Sequence, residues 1–387
     1  MLVLVIAAFG LAAWIYLVGF HGGFWIVSRY DDLPAPALRT DWPDIVAVVP
    51  ARDEAPSIGN CIRSILAQPY AGKLSVILVD DQSSDGTAAL AVAAATEIGA
   101  ADRLTVISGR TPPAGWTGKL WAVKQGLSQV EAREVAPTYV LLTDADIVYS
   151  GDVLPRLVMR AETEGLAMAS IMVKLRCVSF AERFLIPAFI FFFQMLYPFS
   201  WVARPDHPTA AAAGGCILAR WGALQQAGGI DAVRGALIDD CAVGGLLKSR
   251  GPVWLGLSRQ IESVRVSDTF RDVGQMISRS AYAQLRYSPL ILAGTVLAMV
   301  AVYIAPVLIA LAGDGAARWL ALGAWVLMAV AFQPTLRYYR RSPLWGPFLP
   351  AIAVAYLMYT IISAYQFYRG RGGMWKGRAQ ANLSGFR

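Results

Sequence analysis

LSVILVDDQSSDGTAALA, Leu74 to Ala91, changes character twice. Leu74–Val79 is an apolar, β-branched run of strand length, Asp80–Gly86 is a polar turn, and an alanine-rich helix starts at Thr87. The same punctuation recurs upstream, where Ile45–Val49 reads as a strand and Pro56–Gln68 as a helix with proline near its first turn. Leu104–Ser108, Tyr139–Leu142 and Leu166–Val173 continue the strands. Strands alternating with helices predict an α/β domain over residues 42–270, built on a mostly parallel sheet with helices on both faces.

In such sheets ligands sit beyond the carboxyl ends of the strands. Two acidic clusters fall there: DDQSSDGT, Asp80–Thr87, after the second strand, and TDADI, Thr143–Ile147, directly after YVLL. Asp144 and Asp146, one residue apart on a turning backbone, can both reach one divalent cation. Mg²⁺ or Mn²⁺ takes a few carboxylate oxygens and completes its shell with phosphate oxygens, so a diphosphate-bearing substrate is the natural second partner. Either cluster alone also reads as a capped loop or a solvated turn; two of them at strand ends of one domain point to a site. Other nucleotide folds are excluded. A Walker A loop ending in Gly118–Lys119 needs a glycine where the chain has Pro113, and PARDEAPS (Pro50–Ser57) stands where a dinucleotide fingerprint would follow the first strand.

Outside this domain the chain is of another kind. It is 56% hydrophobic and 16% charged, with mean hydropathy +0.48, against about 25% charged in soluble proteins. An all-soluble or disordered chain is therefore excluded. Residues 1–28 carry no charge, and their length and missing basic start predict an uncleaved transmembrane anchor (Met1–Phe20) with Arg29 as its first flanking charge. Pro289–Gly313, Trp319–Leu336 and Ser342–Tyr368 are further uncharged stretches long enough to span, within a C-terminal membrane region 289–368. Phe184–Ala203 is uncharged too, but Pro187 and Pro198 interrupt it, and it is expected to lie on the bilayer as an amphipathic or interfacial segment; residues 271–288 are a second interfacial candidate. The net charge of +7 reflects membrane flanks, not nucleic-acid binding, since no basic run with interleaved aromatics marks a groove binder. The basic tail 369–387 holds Arg369, Arg371, Lys376, Arg378 and Arg387 without an acid. Four simple spans would put that tail across the membrane from the middle domain, against the positive-inside rule. Either the last stretch, with Pro347 and Pro350, is re-entrant or the rule is broken here. Four scattered cysteines give no disulfide framework, and two histidines exclude a multi-histidine zinc site. Catalysis must rest mainly on carboxylates.

The order VVPARDE (Val48–Glu54), DDQSSDGT, TDADI, Gly214–Gly215 and IDD (Ile238–Asp240) resembles the membrane-bound family 2 glycosyltransferases; PAGWTGKLWA (Pro113–Ala122) and the anchor-plus-C-terminal-helices layout resemble most the hopene-associated members. Ceramide glucosyltransferases show the same pattern more distantly. The resemblance implies a GT-A, Rossmann-like fold and a nucleotide-sugar donor, UDP-linked by expectation. It implies Asp80 and Asp81 on the base or ribose, Asp85 supporting that loop, Asp144 and Asp146 on the metal and ribose–diphosphate, and Lys119 near the donor diphosphate. Asp240, where many members have a Glu-Asp pair, becomes the general base. Processive members carry QxxRW on an interfacial helix; here SAYAQLRYS (Ser280–Ser288) offers Arg286 for the arginine, with Tyr287 replacing the tryptophan and Gln284 displaced by one.

These residues suit inverting sugar transfer to a lipid hydroxyl or polyprenyl phosphate. A cation and Lys119 stabilise the leaving diphosphate, and one carboxylate takes the acceptor proton. The expected location is the cell inner membrane with the catalytic domain in the cytoplasm. A processive polysaccharide synthase predicts an intact QxxRW and enough spans for a channel; a decayed, non-catalytic scaffold predicts broken acidic positions. Asp240 by itself also reads as the N-cap of the helix that follows it.

Overall fold

The computed structural model describes residues 1–27, 41–376 and 378–379. Arg29 and Arg387 lie outside the described residues, as does the side chain of Arg378. Eight strands form one sheet: β1 (Ile45–Ala51), β2 (Leu74–Asp80), β3 (Leu104–Ser108), β4 (Tyr139–Leu142), β5 (Ile147–Tyr149), β6 (Met168–Lys174), β7 (Ile217–Arg220) and β8 (Val253–Ser263). Their order is β3-β2-β1-β4-β7-β6-β8-β5.

From β3 to β4 every pairing is parallel, and the helices between these strands provide the crossovers that parallel pairing requires. Beyond β4 the expectation of a mostly parallel sheet has to be refined. There β4–β7, β7–β6 and β8–β5 are antiparallel, and only β6–β8 is parallel. The chain leaves β6 for the helices Phe180–Leu196 and Phe199–Ala203 and re-enters the sheet at the same end, so β7 runs back antiparallel to β6.

Alternation along β1 shows why the domain holds together. Ile45, Ala47 and Val49 pack with Ile58, Cys61, Ile62 and Ile65 of the helix Ala55–Leu66. Val46 and Val48 face the other way, against Leu120, Val123 and Leu127 of the helix Gly118–Glu131. All of β1 is buried, as befits a strand covered on both faces. Gly126 lets the second helix sit close, because a Cβ there would stand 2.5 Å from Val48.

Among the described residues, four helices are long and apolar enough to cross a membrane: Leu2–Phe20, Pro289–Ala312, Gly315–Tyr338 and Pro343–Tyr368. They coincide with the four uncharged stretches. The aromatic segment Phe184–Ala203 differs from its expectation. It belongs to the helix Phe180–Leu196, opened by a Ser179–Glu182 capping box, and to the short helix Phe199–Ala203. Phe191 is fully buried between Phe24 and Phe332, with ring centroids 5.2 and 5.3 Å away. Tyr356 Oη donates to the Leu185 carbonyl at 2.9 Å, and Gln194 Nε2 to that of Phe24 at 2.7 Å. A helix apolar all round is enclosed and has no polar face to turn to water; this one joins the sheet domain to the apolar helices.

Candidate active site

The site forms at the β4–β7 seam. Thr117 Oγ1 caps the helix Gly118–Glu131 by accepting from the Leu120 amide at 3.4 Å, which places Lys119 in the first turn. Asp144 follows β4, and Asp239 and Asp240 open the helix Asp239–Lys248, where the positive helix end favours carboxylates. Lys119 Nζ lies 2.8 Å from Asp144 Oδ1 and 2.9 Å from Asp239 Oδ2. Burial opposes its charge, but the two carboxylates outweigh burial and raise its pKa. Lysine and two acids from remote segments thus share one pocket, lined also by Pro50, Gly214 and Asp240. Its free volume is about 20 Å³, room for about one water.

Asp240 is not an N-cap. The cap position is Ile238, and Asp240 is the second helical residue. Its Oδ2 accepts from the Gly214 amide at 3.1 Å and its Oδ1 from Cys241 N at 2.8 Å. Burial, then the neighbouring Asp239 charge, push it up to about 6. A carboxylate there is half ionised near pH 6 and mostly ionised at neutrality, with a basicity that suits general-base work. Gly215 makes the adjoining turn possible: a Cβ there would lie 2.6 Å from Val173.

Asp146 belongs to a second cluster. Its Oδ2 accepts from Ser263 Oγ at 2.6 Å and pairs with Arg265 Nε at 3.1 Å. Burial works against its charge, but Arg265 and then the Ser263 bond outweigh it and hold the carboxyl below its ordinary value. Arg265 also pairs with Glu54 at 2.7 Å, and Lys376 reaches the same Glu54 oxygen at 2.9 Å. Asp144 and Asp146 therefore each face a different cationic side chain. No group of three or more metal-ligating side chains forms among the described residues. Two carboxylates still fit a Mg²⁺- or Mn²⁺-class ion, which commonly takes one or two of them and fills its shell with phosphate oxygens and water.

The DDQSSDGT turn is knitted to PARDE. Asp85 accepts from Ala55 N at 2.9 Å and from Thr87 N at 3.1 Å, and Asp53 Oδ1 accepts from Ser84 N at 2.9 Å. Asp80 Oδ1 accepts from Ser83 N at 3.1 Å, while Asp81 is buried beside Arg52, 3.6 Å away. Asp85 thus ties two loops together. Arg286 is exposed in the left-handed region (φ 52°), and among the described residues no ion pair or side-chain hydrogen bond joins it to this pocket. Its neighbour Tyr287 stacks on Phe367 at 4.4 Å.

Sequence reasoning missed Asp239, Glu54 and Arg265, and with them Arg279, whose charge helps hold Asp239 below its ordinary value after Lys119 has outweighed burial. Asp239 and Glu54 stand inside the quoted motifs and were legible. Arg265 had no local signal, lying 119 residues from its partner Asp146.

Comparison with known proteins bears on the fold and the family. The chain is 27% identical over 187 residues to an N-acetylglucosaminyltransferase of Mesorhizobium japonicum, a match covering 47% of this chain and 39% of that protein's length. Its fold is similar to that of the mannosyltransferase PcManGT from Pyrobaculum calidifontis, solved with GDP-Man and Mn²⁺, at TM-score 0.55 and 18% identity over 94% of this chain and 99% of that one. Residues 43–255, more than half of the chain, match the family described as glycosyltransferase like family 2, and the chain belongs to that family.

Proposed function

We propose that this protein transfers a sugar from a nucleotide-sugar donor to the hydroxyl of a lipid acceptor, with inversion, on the cytoplasmic face of a membrane. The observation behind this reading is Lys119 held between Asp144 and Asp239, with Asp240 beside them at the pocket wall. The acid motifs remote in sequence meet there, and one of them, the half-buried Asp240, is raised to about 6.

Asp144 and Asp146 are the residues to hold a Mg²⁺ or Mn²⁺ ion together with the donor diphosphate. Such an ion supplies electrostatic stabilisation of the leaving diphosphate. Lys119, freed from Asp144 in that arrangement, turns its charge to the same phosphates. Asp240 accepts the acceptor's hydroxyl proton during attack on the anomeric carbon, held in place by the Gly214 and Cys241 amides. The lipid class is supported by the aromatic helix Phe180–Leu196 and by the apolar helices around it. The PAGWTGKLWA resemblance favours a hopanoid or polyprenyl lipid, and the same helices support multi-pass residence in the inner membrane.

Asp240→Asn keeps the shape and removes the basicity. Donor affinity by calorimetry should survive, and sugar transfer to extracted lipid should fall at least about a hundredfold. Near-normal transfer by this variant would remove Asp240 from the reaction. Activity indifferent to EDTA and to Asp144→Asn would remove the cation.

A further inference from the structure

The stretch Pro343–Tyr368 has the length and hydropathy of a span, but its ends lie on one side. Just before it, Tyr338 Oη donates to the Ser258 carbonyl at 2.6 Å, and Arg259 donates to the carbonyls of Arg337 and Tyr338 at 2.8 and 3.0 Å. The helix Gly315–Tyr338 thus ends against the catalytic domain. The chain then runs back down that same helix. Gln333 Nε2 donates to the Pro343 carbonyl at 3.2 Å, Gly346 packs on Ala329, and Trp325 Nε1 donates to the Pro347 carbonyl at 2.9 Å. Trp325 stands about 20 Å along the helix axis from Tyr338, near the middle of the span.

There the chain turns, through the 3₁₀ segment Pro343–Phe348, into the helix Leu349–Tyr368. Irregular backbone at membrane depth is tolerated where neighbouring helices satisfy its polar groups. Pro343, Pro347 and Pro350 bring no amide donor, and Gln333 and Trp325 satisfy carbonyls on the turn. The returning helix climbs. Its Tyr356 ring meets Phe192 at 4.8 Å, and Phe192 meets Tyr303, midway along Pro289–Ala312, at 6.0 Å. Higher up, Tyr359 Oη donates to the Phe270 carbonyl at 2.9 Å and Ser363 Oγ accepts from Tyr282 N at 3.1 Å. Phe367 stacks on Tyr287, just before Pro289 opens the descending helix. Tyr368 is therefore level with the catalytic face.

The tail agrees. Lys376 Nζ donates to the Asp53 carbonyl at 2.9 Å and pairs with Glu54 at 2.9 Å. The residues from Tyr368 to Lys376 reach at most about 29 Å when fully extended, less than a hydrocarbon core of about 30 Å with its headgroups. A Tyr368 on the far side could not deliver Lys376 to Glu54.

We propose that Pro343–Tyr368 is a re-entrant hairpin, and that the tail it returns makes Lys376 a positioning residue of the donor site, fixing Glu54 and through it the Arg265–Asp146 pair. The second half rests on the proposed donor reading; the hairpin does not. Arg371→Cys, Glu97→Cys in the catalytic domain and Asp314→Cys between the two preceding spans are labelled with an impermeant maleimide in right-side-out and inverted vesicles, each above the background of the unsubstituted chain. Arg371→Cys should label with Glu97→Cys and opposite to Asp314→Cys; labelling with Asp314→Cys overturns the hairpin and the positioning role together. In turnover of UDP-N-acetylglucosamine and GDP-mannose by the full chain, Lys376→Ala should raise donor KM about tenfold at nearly constant kcat, with Lys376→Arg restoring most of it. An unchanged KM, or a loss confined to thermal stability, overturns the positioning role. A wild-type chain that turns over no nucleotide sugar overturns the donor reading and the positioning role with it, while the labelling still decides the hairpin.

Discussion

The two halves of the sheet meet at the site, the parallel half bringing acidic loops and Lys119, the half beyond β4 bringing Asp239, Asp240 and the groups that hold Asp146. The parallel half, β3 to β4, ends in loops rich in acids: Asp80, Asp81 and Asp85 after β2, Asp144 and Asp146 after β4. From beyond β4, Arg265 and Ser263, at the end of β8, grip Asp146, and the turn before β7 offers the Gly214 amide to Asp240. Carboxylates gathered this closely repel one another, so such a cluster is stable only if cations answer them. Lys119 and Arg265 do so, one on each side of the seam. The difference teaches that each half restrains an acid of the other across the line where β4 meets β7 antiparallel: Lys119 holds Asp239, and Arg265 holds Asp146.

The comparison breaks most severely at Lys119. Lys119→Ala leaves the half-buried Asp144 and Asp239 without their shared cation, which should cost about 1–2 kcal/mol of stability after solvent screening and at least about a hundredfold in transfer. A melting curve and a turnover number that both match the wild type would show that the two halves do not depend on this bridge. Next is pH. Asp240 must be ionised to act, and its pKa is raised to about 6, so kcat/KM should fall about tenfold per unit below pH 6 and level off above it. A flat profile from pH 5 to 7 contradicts the assignment.

Arg265→Ala sharpens the restraint idea at smaller amplitude. The guanidinium is 46% exposed, so solvent discounts its pairs; an increase of about tenfold in donor KM is expected. Arg265 holds the Asp146 pKa below its ordinary value, and that stabilisation is present above the ordinary carboxylate range and lost as pH falls through the depressed value. The melting-temperature gap between wild type and Arg265→Ala should therefore close in acid; a gap that widens there refutes the restraint. The smallest effect belongs to the periphery of the parallel half. Arg63 and Glu97 join its two outer helices at 2.6 Å, with side chains 37% and 64% exposed. Arg63→Ala should cost below about 1 kcal/mol, and a larger loss in a chemical melt would mean that the outer layer, not the seam, limits stability.

Legibility follows the same division. The strands Leu104–Ser108 and Tyr139–Leu142 have the ends their sequences suggested, and β1 and β2 differ by a residue or two, because buried parallel strands are continuous apolar runs between turns. The strands β5, β7 and β8 were not legible. β7 is only ILAR, and β8 carries Gly256, Ser258, Arg259 and Gln260 in its middle; their pairing, not their own pattern, makes them strands. Phe184–Ala203 showed its apolarity and hid its surroundings, since enclosure by Phe24, Phe332 and Tyr356 depends on segments far away in sequence.

Sequence alone determined that the chemistry is carboxylate-based, that the acids stand at strand ends of an α/β domain, and where the apolar segments begin and end. Those are properties of local runs, and local runs are what a sequence displays. Only the tertiary structure decided between Asp239 and Asp240. Adjacent residues on a helix point about 100° apart, so one meets Lys119 and the other the Gly214 amide, and no spacing rule says which. It also decided the course of Pro343–Tyr368, whose composition is equally that of a span. Its direction is set by where Trp325, Gln333 and Tyr282 offer their hydrogen bonds, contacts made by residues that no stretch of the segment itself contains.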